Sequence, residues 1–304
     1  MTPRILTLTL NPAVDTAFEA DRIEPSHKTR TYGETHDPGG GGVNVARVLR
    51  EFDAETCAIV LAGGVTGAFL LELLHGYDIP CRPIPIAGTT RISTTVHDRA
   101  TGLEYRFVPE GPIVTEAELT TALNALDSEP GDWIVLSGSL PRGLPVDTYA
   151  RIAERESARG RHVVLDTSGD ALAAALGHGL ALIKPSLREL EHLVGDRPPA
   201  EAAAELVRTG AAQRVAVTLG ADGALIATAA GISQHPAIPV TARGSVGAGD
   251  SFLAAMTLAL ATGSDAHDAL LWGLAAGAAA VSQTGTAHPS RTDVAAFYRT
   301  LREK

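Results

Sequence analysis

Ser245-Val246-Gly247-Ala248-Gly249-Asp250-Ser251 runs directly into Phe252-Leu253-Ala254-Ala255-Met256, a glycine-rich bend that opens an apolar helix. The first amides of a helix have no intrahelical partner, and the aligned peptide dipoles place about half a positive charge there. Two glycines give access, and a carboxylate stands beside them. The segment therefore predicts an anion cradle made by the N–H groups of Gly247, Ala248 and Gly249, with Asp250 placed to take a proton from an attacking hydroxyl. A turn that only caps a buried helix would use the same residues, so the rest of the chain decides between the two.

Gly39-Gly40-Gly41-Gly42-Val43-Asn44-Val45-Ala46-Arg47 repeats the arrangement near the start of the chain. Four successive glycines are costly to order. Val43, Val45, Ala46, Val48 and Leu49 continue at helical spacing, which a flexible linker would not do. The tetrad is expected to bring bare backbone against a ligand.

Between these segments short β-rich runs alternate with helical ones. Strands are expected over 5–10, 56–61, 133–137, 162–166, 180–183, 214–218 and 224–228. Helices are expected over 65–75, 116–126, 145–158, 200–208 and the alanine-rich C-terminal stretches. This order predicts an α/β chain with a mostly parallel sheet covered on both faces, and ligands beyond the carboxyl ends of its strands. Two stretches break the pattern. Residues 13–37 lack a helical stripe, and 89–109 alternate as Ile92, Thr94, Val96 and then Tyr105, Phe107 around a Thr101-Gly102 turn. Both are expected in one small projecting β-sheet.

The 304 residues carry a formal net charge of -10, which argues against nucleic acid or an anionic membrane as a partner. An anionic substrate would need a local cationic pocket. Lysine is scarce: Lys28, Lys184 and the terminal Lys304 are the whole supply. Cys57 and Cys81 lack metal-ligand spacing and read as buried thiols of a cytoplasmic protein. The N-terminus lacks the features of a signal peptide, and the most apolar stretch, 269–281, is shorter than the ~20 residues that span a bilayer.

GGGGVNVAR (39–47) and VGAGDSF (246–252), with TLTLNPAVD (7–15), LSGSLPRG (136–143) and KPSLREL (184–190), resemble the signatures of the ribokinase-like PfkB carbohydrate kinases, in their phosphosugar branch. The resemblance runs from Ile5 to the last helix. It implies a ribokinase-like three-layer α/β sandwich, with 1–12, 38–88 and 110–304 as a core binding nucleotide and sugar. Residues 13–37 and 89–109 would form a β-sheet lid that also joins two copies into a homodimer.

The implied activity is ATP-dependent, Mg²⁺-assisted phosphorylation of a phosphorylated ketohexose, first fructose 6-phosphate, with fructose 1-phosphate and tagatose 6-phosphate as rivals. The all-glycine tetrad favours the 6-phosphate branch, since 1-phosphofructokinases more often show Gly-Gly-Lys-Gly there. Asp250 would be the base. At a helix start it is expected to titrate low, and weak basicity suffices in a loose transition state.

By the same likeness, Asp15, Gly39, Gly40, Asn44 and Ser139 would contact the sugar. Lys28, Arg30, Arg91 and Arg106 would supply cations for its phosphate. Lys184, Ser186, Thr218, Gly220, Gly223, Ser245, Val246 and Ser282 would serve the nucleotide, and Glu189 would organise Mg²⁺ through water. Ser186 departs from the family's usual asparagine, as Ser282 does from an asparagine near the base.

A dinucleotide-binding dehydrogenase is a different class, but Asn11-Pro12 follows the first strand where glycines would be needed. A Walker A loop is also excluded, since no glycine precedes a lysine. A non-catalytic sugar-phosphate sensor is the remaining alternative, and its mark would be loss of Asp250.

Overall fold

The computed structural model describes residues 3–242, 244, 247–283 and 289–303. Its strands in chain order are β1 (Arg4–Thr9), β2 (Ala13–Ala20), β3 (Thr31–Gly39), β4 (Glu55–Ala62), β5 (Cys81–Pro85), β6 (Arg91–Asp98), β7 (Leu103–Phe107), β8 (Trp133–Ser137), β9 (His162–Asp166), β10 (Leu180–Ile183), β11 (Arg214–Thr218), β12 (Ala224–Thr228) and β13 (Gly231–His235). The helices are α1 (Gly41–Glu51), α2 (Gly64–Gly76), α3 (Glu116–Ser128), α4 (Thr148–Ser157), α5 (Gly169–Ala175), α6 (Leu187–Val194), α7 (Pro199–Arg208), α8 (Ala248–Ala261), α9 (Ala266–Val281) and α10 (Arg291–Arg302).

A nine-stranded sheet runs β13-β12-β11-β10-β9-β8-β1-β4-β5. Every pairing from β11 to β5 is parallel, and β12 and β13 add an antiparallel edge. Side chains alternate between two cores because successive strand residues point to opposite faces. Leu6, Leu8, Ile134, Leu136, Val163 and Val215 pack with residues of α3 to α7, whereas Ile5, Val135, Val164, Leu182 and Ala216 pack with α1, α8, α9 and α10. Val43 and Ala46 of α1 join Val60 and Leu70 in a third cluster over β4 and α2. The result is a three-layer sandwich, as the alternation of elements predicts.

Four elements escape the sequence pattern, among them the short helix α6. Pro83 and Pro85 argue against a strand at β5, yet β5 lies at the sheet edge, where missing amide donors are tolerated. β13 is the opposite edge, and α5 is a single short helix. Cys57 is buried and Cys81 half-buried, both as free thiols, and burial pushes the Cys81 thiol up to about 12.

The second sheet, β3-β2-β6-β7, holds residues from the two irregular stretches. β6 runs parallel to β2, and β7 returns antiparallel after Gly102, which adopts a left-handed φ of 70°. The register sets Ala13 beside Arg91, and Asp15 beside Ser93, and it pairs Thr95 with Arg106. One face of this sheet therefore carries Asp15, Arg91, Ser93 and Arg106. Ile92, Tyr105 and Phe107 fall on the other face and are exposed.

Candidate active site

A cleft of about 360 Å³ opens beyond the carboxyl ends of β1, β8 and β9, against the polar face of the small sheet. Two helix starts meet in it. Gly40 and Gly41 at the head of α1 line it, as do Gly247 and Asp250 at the head of α8. Asn44, in the second turn of α1, donates from Nδ2 to Asp250 Oδ2 at 2.9 Å, tying two residues more than two hundred positions apart. Gly247 is the left-handed N-cap of α8, and the first bond within that helix runs from the Ser251 amide to the Gly247 carbonyl at 2.8 Å. The amides of Ala248, Gly249 and Asp250 thus have no intrahelical acceptor. They extend through Asp250 the run of bare amides that the sequence places at Gly247, Ala248 and Gly249.

The glycine tetrad is explained differently from the expectation. A Cβ on Gly39 would fall 2.2 Å from Asp15 Oδ2, one on Gly41 2.2 Å from Ser137 Oγ, and one on Gly42 2.4 Å from Thr9 Oγ1. Gly40 takes φ +108 against Thr9 and Pro12. The glycines are bare so that α1 can start in contact with β1, β8 and the Asp15 carboxylate, and only Gly40 and Gly41 also face the cleft. Gly42→Ala is expected to destabilise the fold by about 1–3 kcal/mol, from overpacking against the buried β1 backbone. A melting curve unchanged from wild type would contradict that packing.

Electrostatics divide the cleft into two ends. Arg91 and Arg106 line one end together with Asp15. Burial raises the pKa of the Asp15 carboxyl, while Arg106, Arg91 and Arg47 pull it down. Asp166 and Glu189 line the other end. Lys184 Nζ lies 3.2 Å from Asp166 Oδ1, and a Cβ on Gly249 would stand 3.5 Å from the same Nζ. Burial pushes Asp166 up to about 6 even though Lys184 opposes it, and Asp250 and Glu189 add to the rise. Burial also works against the Lys184 charge, but Asp166 and Asp250 outweigh it and hold the ammonium above its ordinary pKa. Asp250 sits between the two ends. Its pKa is raised by burial, against Asn44, Lys184 and Arg106, which lower it. The expected low value is thereby corrected: burial of the carboxyl at the base of the cleft exceeds the pull of the helix start.

The four expected cations do not all reach this cleft. Lys28 and Arg30 lie exposed on the connection from β2 to β3 and are not among its lining residues. Arg91 is partly committed, donating from Nη1 to the Pro109 carbonyl at 2.9 Å and from Nη2 to the Asn11 carbonyl at 2.8 Å. The Arg106 side chain makes no hydrogen bond or ion pair among the described residues.

Comparisons with known proteins identify the family. Residues 8–293 match the model of the pfkB family carbohydrate kinases. The chain belongs to the pfkB carbohydrate kinase family. It is 41% identical to an ATP-dependent 6-phosphofructokinase isozyme 2 of Mycobacterium tuberculosis, over 99% of this chain and 91% of that protein. It superposes on the crystal structure of phosphofructokinase-2 from Escherichia coli in complex with potassium with TM-score 0.94 and 37% identity, covering 99% of each chain. A ribokinase from Thermotoga maritima, at TM-score 0.80 and 21% identity over 98% of this chain and 99% of that one, shares the fold, which is ribokinase-like.

In this pfkB kinase the described residues expected on the nucleotide side do not line the cleft, and Lys184 and Ser186 contact its acidic residues Asp166 and Glu189. Ser186 caps α6: its Oγ accepts from the Glu189 amide at 3.3 Å, and Glu189 Oε2 accepts from the Ser186 amide at 2.7 Å and hydroxyl at 2.9 Å. A residue shorter than asparagine therefore still orients Glu189. Thr218 ends β11, where its amide donates to the Pro185 carbonyl at 3.2 Å. Gly220 opens the following turn, and Gly223 at φ +100 packs against the His235 carbonyl. The Ser282 hydroxyl donates to the Ala278 carbonyl at the end of α9. Ser245 and Val246 lie outside the described residues. Ser139 lines the cleft.

Asp166, Ser93 and Ser137 line it too, and sequence reasoning passed over them. The available signal for Asp166 was an acid at the carboxyl end of a parallel strand, the place where such sheets bind ligands.

Proposed function

We propose that this kinase transfers the γ-phosphoryl group of ATP to the free primary alcohol of fructose 6-phosphate, forming fructose 1,6-bisphosphate. The observation that carries the reading is the place of Asp250, between a cationic end and an acidic end and beside the unpaired amides of α8. The sugar phosphate would lie against Arg106 and Arg91, with its hydroxyls held by Asp15 and Asn44. Its free alcohol would then meet Asp250. As the alcohol oxygen forms its bond to phosphorus and the bond to the ADP oxygen breaks, the alcohol proton passes to Asp250, and the α8 amides stabilise the charge on the transferring group.

Mg²⁺ fits the acidic end. Asp166, Glu189 and Asp250 outnumber the single Lys184, yet no three such side chains among the described residues close around one point. That suits an ion which keeps most of its water and takes phosphate oxygens, and it would supply charge neutralisation for the nucleotide. A carboxylate at Asp166 is then needed, so kcat/KM is expected to rise with pH through about 6. Lys184→Met, which removes the counter-charge, should move that limb to higher pH. A limb that stays in place, measured over pH 5 to 8 as an approximate window around the carboxyl, would dissociate Asp166 from activity. Stability runs the opposite way: a carboxyl raised in the folded state favours folding most below its ordinary range, and that contribution is lost as pH rises through about 6.

Residues 13–37 and 89–109 are proposed to act as a lid over the sugar, excluding water at transfer. Leu103, Tyr105 and Phe107 expose apolar area on the lid's outer face, Phe107 at 60%, and a second copy of the chain is the proposed cover. No described helix is long and apolar enough to cross a membrane, and the proposed location is the cytoplasm.

ADP release measured across fructose 6-phosphate, fructose 1-phosphate, tagatose 6-phosphate and free sugars tests the reading. Fructose 6-phosphate is expected to give the highest kcat/KM. Preference for fructose 1-phosphate would make the chain a 1-phosphofructokinase, and binding without turnover of any sugar would make it a sensor.

A further inference from the structure

Asn11 follows β1 at the point where the chain first leaves the large sheet for the small one. It is 3% exposed and does not line the cleft. Three pieces of the site nevertheless converge on it. Its Nδ2 donates to the Glu110 carbonyl at 2.9 Å, on the segment that returns from the small sheet, and to Ser139 Oγ at 3.2 Å. Its backbone carbonyl accepts from Arg91 Nη2 at 2.8 Å. The return segment packs so closely that a Cβ on Gly111 would stand 2.2 Å from Asn11 Oδ1.

The direction of these bonds matters. A carbonyl oxygen can only accept, so the atom facing Glu110 is the amide nitrogen, and that same nitrogen must donate to Ser139. Because Ser139 Oγ accepts from behind, its own proton is free to be donated forward into the cleft. An oxygen-rich, anionic ligand calls for that polarity.

We propose that Asn11 is a positioning residue for the sugar phosphate, polarising Ser139 as a donor and anchoring Arg91 and the return segment in one frame. The proposal rests on the phosphosugar reading above. Aspartate at this position would keep the side-chain shape but face both partners with an acceptor, so the Ser139 hydroxyl would turn its proton backward. Asn11→Asp is therefore expected to raise KM for fructose 6-phosphate about tenfold, the scale of one lost and one misdirected hydrogen bond, with KM for ATP changed less than about twofold. Asn11→Ala should show the same split. Combining either substitution with Ser139→Ala should cost less than the product of the single effects, because both act through one hydroxyl.

Wild-type turnover of fructose 6-phosphate is measured first, and its absence would remove the phosphosugar reading itself. With the wild type active, three results would each overturn the role of Asn11: parallel rises in both KM values, a lowered folded fraction with unchanged KM values, or a fully multiplicative double variant.

Discussion

Asp250→Asn is expected to lower kcat by roughly 10²- to 10⁴-fold, with sugar and nucleotide KM values within a few-fold of wild type. The substitution isolates proton acceptance. Asn44 Nδ2 donates to Asp250 Oδ2 at 2.9 Å, and an asparagine carbonyl oxygen can take that hydrogen bond in the same place. The head of α8 keeps its Gly247 cap and its unpaired amides. Only the capacity to bind the alcohol proton is gone. Burial already raises the Asp250 carboxyl, which makes its ionised form a better base than an exposed aspartate. Steady-state kinetics together with calorimetric sugar binding check this outcome. Turnover within about tenfold of wild type would remove Asp250 as the base.

Arg106→Ala should raise KM for fructose 6-phosphate by roughly 30- to 100-fold, while KM for ATP changes little. A charge-assisted pair to phosphate contributes about 2–3 kcal/mol, and each 1.4 kcal/mol is about tenfold. Arg106 is expected to exceed Arg91 in this respect because the Arg91 Nη groups already serve the Pro109 and Asn11 carbonyls. Its charge also reaches both Asp15 and Asp250. Arg106→Lys, which keeps a charge but not the planar fork, should recover part of the loss. Equal weakening of both substrates would place Arg106 outside the sugar end.

The fold was legible because its parallel strands and helices each keep one period. The two stretches that broke it, 13–37 and 89–109, did so because they belong to a different sheet. Two glycine-led helix starts were legible, but nothing local indicated that Asn44 of one would bond Asp250 of the other. Asp166 had only the weak signal of an acid ending a parallel strand, with no spacing motif, and the structure adds Lys184 beside it. The glycine tetrad was legible as a demand for bare backbone, but sequence could not say whether ligand or protein pressed on it. Thr9, Asp15 and Ser137 do. The sign of the Asp250 shift was missed for a similar reason: a helix start is local, whereas the burial that raises this carboxyl comes from other elements.

A crystal structure with fructose 6-phosphate and a non-hydrolysable ATP analogue bound together tests the central claim most directly. The account predicts an Asp250 carboxylate oxygen about 2.6–3.2 Å from the free alcohol of the sugar, with the terminal phosphate against the amides of Ala248 and Gly249. An alcohol directed at some other group, with Asp250 still bonded only to Asn44, would contradict it.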